Sequence, residues 1–356
     1  MSKKVVLLGP SPPPHGGVSI YVSTLFGHLG ARGLRLWTYG EREARGANVR
    51  FMKDKRRDLV PVLLREGRGA RVADCTHFLL EYPSALVPVW VLLKRLLGFE
   101  WVKILHDGSL PARHAAFGGV RRALFRLAAG GVTEFVAVSD ELGRWLREEL
   151  RVAQPVSVVK SLLPVAPVGG DALPEGLEES LKDYTRRARR VCSVGAFIPE
   201  YGFLHAAEAV GRVRLETGED VGLLLLDGGF ASDEAYRREV LGGREWVTVL
   251  RSVAHADVFR LMRRSHAFVR GFGPESYGLS RVEALWVGLP VVATRAGETR
   301  GMLLYDFGDV DELTRQLKHA LDGGHAQATA EWAARYQQEA EENLKSITMK
   351  LGLNES

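Results

Sequence analysis

Two consecutive doubly wound α/β domains, each on a parallel sheet, are predicted for this chain. Short β-branched runs alternate with amphipathic segments along most of its length, the pattern of βαβ units. The alternation breaks once, over residues 163–187, where Pro164, Pro167, Gly169, Gly170 and Pro174 lead into a charged stretch. The chain also has 356 residues, more than the roughly 250–300 at which one hydrophobic core stops growing.

In chain order, residues 4–8 read as a strand, 18–31 as a helix and 34–39 as a second strand. Residues 101–105 and 134–138 are further strands, the latter followed by a helix over 140–150, and 156–159 closes the first series. After the break, residues 191–194, 221–226, 246–250, 267–269 and 290–294 read as strands with helices between them. Residues 311–322 form a helix, and 327–350 a longer polar one expected to fold back toward the first domain. The expected domains are 1–165 and 166–325, with 326–356 as the returning helix. Ligands of such sheets bind beyond the carboxyl ends of the strands, so the expected site is a cleft between two such edges.

Composition narrows the class. A hydrophobic share of 46% and a charged share of 26% are ordinary for a soluble globular protein. Cys75 and Cys192 are the only cysteines and lie in apolar stretches. They read as reduced core residues and exclude a cysteine-based zinc site. No secretory signal is read, and the longest apolar run, 85–93, falls far short of the roughly 20 residues that span a bilayer. The expected location is cytoplasmic, with peripheral contact at the inner membrane face. Residues 1–165 hold 25 Lys and Arg against 14 Asp and Glu, a net of +11, which leaves −6 for the remainder. That asymmetry points to an anionic partner for the first half, either lipid head groups or an acidic substrate. Nucleic acid is not an expected partner, because basic and aromatic residues do not interleave and no binding motif is present. Residues 85–101 mix Trp90, Phe99 and Trp101 with Lys94 and Arg95. They read as a core-facing helix, with an amphipathic membrane-surface helix as the alternative.

Three stretches carry chemistry. The loop Gly9-Pro-Ser-Pro-Pro-Pro-His-Gly-Gly-Val18 runs from strand to helix. Gly16 and Gly17 leave bare backbone at a helix N-terminus, where free N–H groups and the dipole attract phosphate; the alternative is a tight turn. The dinucleotide fingerprint is missing, which disfavours a dehydrogenase. His106 directly follows a central strand in Ile-Leu-His-Asp-Gly, where it could bond a substrate hydroxyl or stabilise charge, with Asp107 capping the turn. The most specific stretch runs from Gly273 to Thr294. Glu275 lies in a loop above a strand end, Glu283 lies about one and a half turns into the next helix, and that helix begins near Gly278. The N–H groups of Gly278, Leu279 and Ser280 suit an anion, and the two carboxylates suit hydroxyl-rich sugar and ribose. The alternative is an N-cap acid and a solvated helix residue.

Over most of its length the chain resembles the family-4 retaining glycosyltransferases of the GT-B fold. The resemblance rests on Gly16-Gly17, His106, Ala137-Val-Ser139, the run from Val194-Gly195 through Pro199-Glu200 to Gly202, and the register of Glu275, Gly278, Glu283, Gly288 and Pro290. It implies that Glu283 holds the ribose hydroxyls of a nucleotide-sugar donor and that Glu275 and His106 contact the transferred sugar. It also implies that Gly278–Ser280 receives the diphosphate with Gly17 opposite. No metal and no cofactor are implied, only a co-substrate expected to be UDP- or GDP-linked. The expected activity is transfer of a hexosyl group to a glycan, lipid-linked or anionic acceptor. Two alternatives are a degenerate nucleotide-binding subunit and a nucleotide-sugar epimerase.

One departure bears on catalysis. Typical members clamp the diphosphate with an Arg and a Lys, where this chain has Ala196 and Tyr201; the family's Asn-Gly is Ser161-Leu162. Charge-assisted bonds of that kind are worth about 1.5–3 kcal/mol each. Arg270, Arg281, Arg300 and Lys160 are the candidate substitutes, and Arg270 is favoured because it ends a strand and should open into the crevice.

Overall fold

A computed structural model describes residues 3–39, 46–54, 57–164, 170 and 172–353. The chain divides into two compact units, one of Met1–Pro13, Val18–Leu163 and Glu341–Ser356, the other of Pro14–Gly17 and Pro164–Ala340.

The first unit holds seven strands: β1 (Val5–Pro10), β2 (Arg35–Tyr39), β3 (Val49–Phe51), β4 (Arg71–Asp74), β5 (Glu100–Leu105), β6 (Glu134–Ala137) and β7 (Val156–Val158). They pair in the order β3-β2-β1-β4-β5-β6-β7, and every pairing is parallel. The second unit holds β8 (Arg189–Phe197), β9 (Val221–Ser232), β10 (Val247–Arg251), β11 (Ala267–Arg270), β12 (Val291–Thr294) and β13 (Leu303–Tyr305). Their order is β10-β9-β8-β11-β12-β13, again all parallel. In each sheet the strand order reverses once, between β1 and β4 and between β8 and β11. Ligands bind at such reversal points in doubly wound sheets, which directs attention to the loops after β1, β8 and β11.

Strands buried on both faces read as continuous apolar runs, and Val5–Leu8, Val191, Cys192, Leu223–Leu226 and Val291–Ala293 are all buried. Every expected strand is present, with ends displaced by a few residues. The sequence reading missed β3, β4 and β13, together with the helix Leu59–Glu66. The helix expected over 140–150 is α-helical only over Asp140–Arg144 and continues as a π turn, Trp145–Glu149. The interruption at 163–187 contains two short helices, Glu175–Ser180 and Lys182–Thr185. Pro167 and Gly169 fall outside the described residues.

The C-terminal helix Ala326–Leu351 contributes to both units. In the second unit, Tyr336 donates its hydroxyl to the Arg300 carbonyl at 3.0 Å, and Arg300 pairs with Glu339. Ile347 and Leu351 are buried within the first unit's core, at about 1.5–3 kcal/mol per side chain. Lys350 there pairs with Glu134 at 2.7 Å.

Candidate functional site

The helix Gly17–Leu29 begins at the loop after β1 and belongs to the first unit from Val18 onward. Neither Gly16 nor Gly17 has a positive φ, and a Cβ on either would meet nothing within 4 Å. Neither position therefore needs glycine for steric reasons, and the Gly16 N–H closes a tight turn onto the Pro14 carbonyl at 3.2 Å.

His106 follows β5 and is buried, its ring set edge-on to Tyr21 at 4.7 Å between centroids. Burial pushes its pKa well below the ordinary imidazole value, and the neighbouring His77 and Lys103 push it further down. His106 is therefore neutral near pH 7 and suited to hydrogen bonding, not to supplying positive charge. Asp107 caps the next turn, accepting from the Ser109 N–H and hydroxyl at 2.9 and 2.7 Å and pairing with Arg113.

Beneath His106 lies a charged group that the sequence reading missed. Lys103, fully buried in β5, faces Asp74 across the β4–β5 ladder and sits 3.0 Å from Glu81 and 3.5 Å from Asp74. It also donates to the Thr76 carbonyl. Asp74 accepts from the Thr76 N–H and hydroxyl at 2.7 and 2.6 Å and from the Trp101 indole at 3.1 Å. Buried charges persist when paired and hydrogen-bonded in this way, and the set ties the carboxyl ends of β4 and β5 together just before His106.

In the second unit, β8 leads through Ala196 into the single turn Pro199–Tyr201. The Tyr201 ring lies over Gly195, where a Cβ would come within 2.6 Å of it, and stacks on Phe272 at 4.3 Å. Gly202 has φ +65°, and a Cβ there would approach the Gly271 carbonyl at 3.0 Å. The two loops at the reversal point are thus pressed backbone to backbone.

Arg270 ends β11 but does not open outward as expected. It is 8% exposed, donates Nε to Glu275 at 2.7 Å and donates a terminal nitrogen to the Val194 carbonyl at 2.6 Å. Its guanidinium lies over the rings of Tyr201 and Phe272 at 5.0 and 5.2 Å. Burial disfavours its charge, but the Glu275 carboxylate outweighs burial and holds the pKa above the ordinary arginine value. The carboxylate five residues away captures the cation before solvent can.

Arg281 is not a surface cation either. It is fully buried and donates to the carbonyls of Thr294, Ala296 and Glu298 at 3.1, 2.5 and 3.2 Å, with Glu275 at 3.7 Å. Burial lowers its pKa to about 10, so it stays charged at neutral pH. Arg300 is bound to Glu298 and Glu339, and Lys160 lies 3.8 Å from Asp140.

Gly278, with φ +82°, precedes the helix Leu279–Trp286 and supplies no capping side chain. A Cβ at Gly278 would strike Arg281 at 2.7 Å and Glu275 at 3.0 Å, so only glycine fits. The first N–H groups of a helix have no intrahelical partner; Leu279 and Ser280, both half-buried, present theirs at the carboxyl edge of the sheet. Glu283, one turn on, is buried rather than solvated, and its Oε1 lies 2.8 Å from His255 Nε2. His255, on the helix His255–Arg263 and edge-on to Phe259, is a further residue that the sequence reading missed. Twenty-eight residues separate it from its partner, so nothing in the linear order connects them.

That pair gives a pH prediction. Burial works against the imidazolium, but the Glu283 charge and hydrogen bond prevail and raise the His255 pKa above its ordinary value. A raised folded-state pKa adds stability that is complete below the unfolded value of about 6.5 and is lost as pH rises through the folded value. Melting temperatures of the native protein and of His255→Gln should therefore differ most below about pH 6.5 and converge as pH rises past the folded value. A gap that stays constant with pH would show that the pair is not titrating.

Among the described residues, no group of three or more His, Cys, Asp or Glu side chains is arranged to hold a metal ion. No helix among them is long and apolar enough to cross a membrane.

Residues 188–323 match the sequence family described as Glycosyl transferases group 1. A search of curated proteins finds no match to the chain. Solved structures share its fold over nearly their full length. The crystal structure of HepE from Anabaena in complex with UDP and glucose is 18% identical, with 98% of each chain covered and a TM-score of 0.69. A glycosyltransferase from Rickettsia africae is 12% identical, with 100% of each covered and a TM-score of 0.71. Sucrose-phosphate synthase from Thermosynechococcus elongatus is 16% identical, with 99% of this chain and 97% of that one covered and a TM-score of 0.67. The chain has the GT-B architecture, two parallel-sheet α/β domains in succession.

Proposed function

We propose that the chain is a retaining, metal-independent hexosyltransferase. Its donor is a UDP- or GDP-linked sugar, and its acceptor is a hydroxyl of a glycan, lipid-linked or small-molecule compound. The observation that carries this reading is the uncapped helix start at Gly278–Ser280, set between Glu275 and Glu283 at the reversal point of the second sheet. It supplies donors for a diphosphate and acceptors for hydroxyls within nine residues of chain, Glu275 to Glu283. The likeness to HepE, whose crystal structures contain UDP and UDP-glucose, supports a nucleotide-sugar donor.

In this reading the Leu279 and Ser280 N–H groups receive the diphosphate, and the Gly17 N–H is a further donor to it. Glu283 accepts from the ribose hydroxyls. Glu275 accepts from a hydroxyl of the transferred sugar, and neutral His106 bonds another without adding charge. The bond between the sugar's anomeric carbon and the phosphate oxygen breaks while the acceptor oxygen forms its bond on the same face. The acceptor proton passes to the departing phosphate. Catalysis is then positioning, plus support of charge developing on the leaving group by preorganised donors.

A second reading, a nucleotide-binding subunit without transfer activity, is favoured by one observation. Arg270, Arg281, Arg300 and Lys160 each already lie against a carboxylate, so none is a ready replacement for the clamp that Ala196 and Tyr201 lack.

Thermal stability measured against UDP, GDP, ADP, TDP and their sugar conjugates tests both readings. A ligand at 100 times its dissociation constant stabilises by about 2.7 kcal/mol, an easily resolved shift. One nucleotide family should raise the melting temperature, and its sugar conjugate should release nucleotide when acceptors are added. A shift without turnover across an acceptor panel would favour the second reading, and no shift with any nucleotide would overturn donor binding itself.

A further inference from the structure

The first unit contains a cavity of about 570 Å³ that the proposed chemistry does not use. Small-molecule sites fall between about 300 and 1,000 Å³. One wall is the helix Gly119–Gly131, on which Arg122, Arg126 and Gly130, spaced four residues apart, share a face. The other wall comes from residues 149–154, which lead into β7 and so stand at the amino edge of the sheet. His106, by contrast, follows the carboxyl end of β5.

The lining combines apolar surface with positive charge. Phe125, Leu150 and Val152 are its apolar part, and Phe125 is buried. The His114 ring is tilted against Phe125 at 4.5 Å and set edge-on to Trp145 at 5.6 Å between centroids. Neither Arg122 nor Arg126 pairs with a carboxylate of a described residue; Arg122 donates only to the Ala115 and Phe117 carbonyls, at 3.4 and 3.1 Å. Burial, and after it the charges of Arg122 and Arg126, lowers the His114 pKa, so both cations act on one imidazole. Glu149 is the single carboxylate in the lining and pairs with neither arginine. The backbone beside it is irregular. The Leu150 N–H closes the π turn Trp145–Glu149 onto the Trp145 carbonyl at 2.9 Å, and Arg151 follows with φ +49°. Such turns and strained residues collect at functional sites.

We propose that this cavity binds a small phosphate monoester with an aromatic body. The ring lies against Phe125, Leu150 and Val152, and the two guanidinium groups, one helical turn apart, hold the phosphate oxygens. A phosphate monoester carries nearly two charges at neutral pH and so matches two unpaired cations, where a carboxylate would match one. A phosphate without an apolar body would leave the leucine and valine facing water.

Isothermal titration calorimetry with phenyl phosphate tests the proposal, with inorganic phosphate and phenol as the two halves of the probe. The native protein should bind phenyl phosphate at least about tenfold more tightly than inorganic phosphate, from burial of the ring. Phenol should bind more weakly than phenyl phosphate by a similar factor. Arg126→Ser should weaken binding at least about tenfold through loss of a charge-assisted contact. Glu149→Gln should tighten it by removing a like charge. Gly130 offers a third variant, because a Cβ there would meet nothing within 4 Å. Gly130→Leu should fill the cavity and abolish binding while the melting temperature stays at or above the native one, since leucine favours a helix over glycine. If Gly130→Leu fails to fold, Arg126→Ser decides. No binding of phenyl phosphate, or equal affinity for inorganic phosphate, would overturn the proposal and leave an unspecific basic patch. Native-like binding by Arg126→Ser or by folded Gly130→Leu would overturn it too. Saturating UDP should leave the titration unchanged; displacement by UDP would assign the probe to the nucleotide site instead. The groove variants keep their meaning whether or not UDP binds, so this proposal and the donor reading fail separately.

Discussion

Replacing Glu275 with Ala should lower stability by about 3–5 kcal/mol and abolish transfer. The size follows from burial. Glu275 is the carboxylate shared by Arg270 and Arg281, of which one is nearly buried and the other wholly so. Exposed ion pairs are worth only about 0–1 kcal/mol, but removing one partner of a buried pair leaves an uncompensated charge and costs about 3–5 kcal/mol. For a domain of this size, the melting temperature should fall by roughly 6–20 °C. Arg281 retains its three carbonyl partners, so the larger share of the loss falls on Arg270, left with the Val194 carbonyl, the Tyr201 side chain and the face of Phe272.

A second variant separates structure from chemistry. Buried pairs replaced by apolar residues of similar volume are often near neutral. Arg270→Met with Glu275→Leu should therefore recover part of the lost stability, yet remain inactive because the hydroxyl acceptor is still missing. Calorimetry and nucleotide release on the same samples decide the matter. A loss below about 1 kcal/mol in Glu275→Ala would mean that the pair behaves as a surface salt bridge. Activity in the double variant would remove Glu275 from the substrate site.

The strands were legible because a parallel sheet covered on both sides demands unbroken apolar runs, and the chain writes them plainly at Val5–Leu8 and Val291–Ala293. Where burial takes another form, the signal fails. β4 reads Arg-Val-Ala-Asp, too short and too charged to stand out, and β3 and β13 have three residues each. Lys103 looks like an isolated charge in an apolar strand; only the register that sets it opposite Asp74 makes it the centre of a buried network. The position of Arg270 at a strand end was correct, but its partner was not foreseen. Glu275 was read as a ligand group for sugar, while in the folded chain it also neutralises two arginines. Spacing contained a clue to Arg281. Three residues past a glycine with positive φ, it lies one turn into the helix, where Gly278 leaves room for its side chain to pass inward. A single sequence offers no comparable clue to His255, because its tie to Glu283 crosses between separate helices.

Glu283→Ala should weaken nucleotide binding by about 100-fold or more. A carboxylate that accepts from two ribose hydroxyls forms two charge-assisted bonds, each worth about 1.5–3 kcal/mol, so losing both removes about 3–6 kcal/mol, or two to four decades of affinity. The variant also strips His255 of its partner, and that loss must be kept apart from the binding loss. At alkaline pH, above the raised folded value, the imidazole is neutral in both folded and unfolded states, so titration of nucleotide there reports mainly on the ribose contact. His255→Gln serves as the companion. It leaves the carboxylate in place but removes what fixes one oxygen, so affinity should fall only about tenfold, at a cost of about 1.4 kcal/mol, with the base preference unchanged. The order of the two variants is the discriminating result. If Glu283→Ala binds the nucleotide as tightly as the native protein, the ribose lies elsewhere and the His255–Glu283 pair is purely a staple between two helices. If His255→Gln is the more damaging of the two, the imidazole rather than the carboxylate faces the nucleotide, and the role assigned to Glu283 passes to its neighbour.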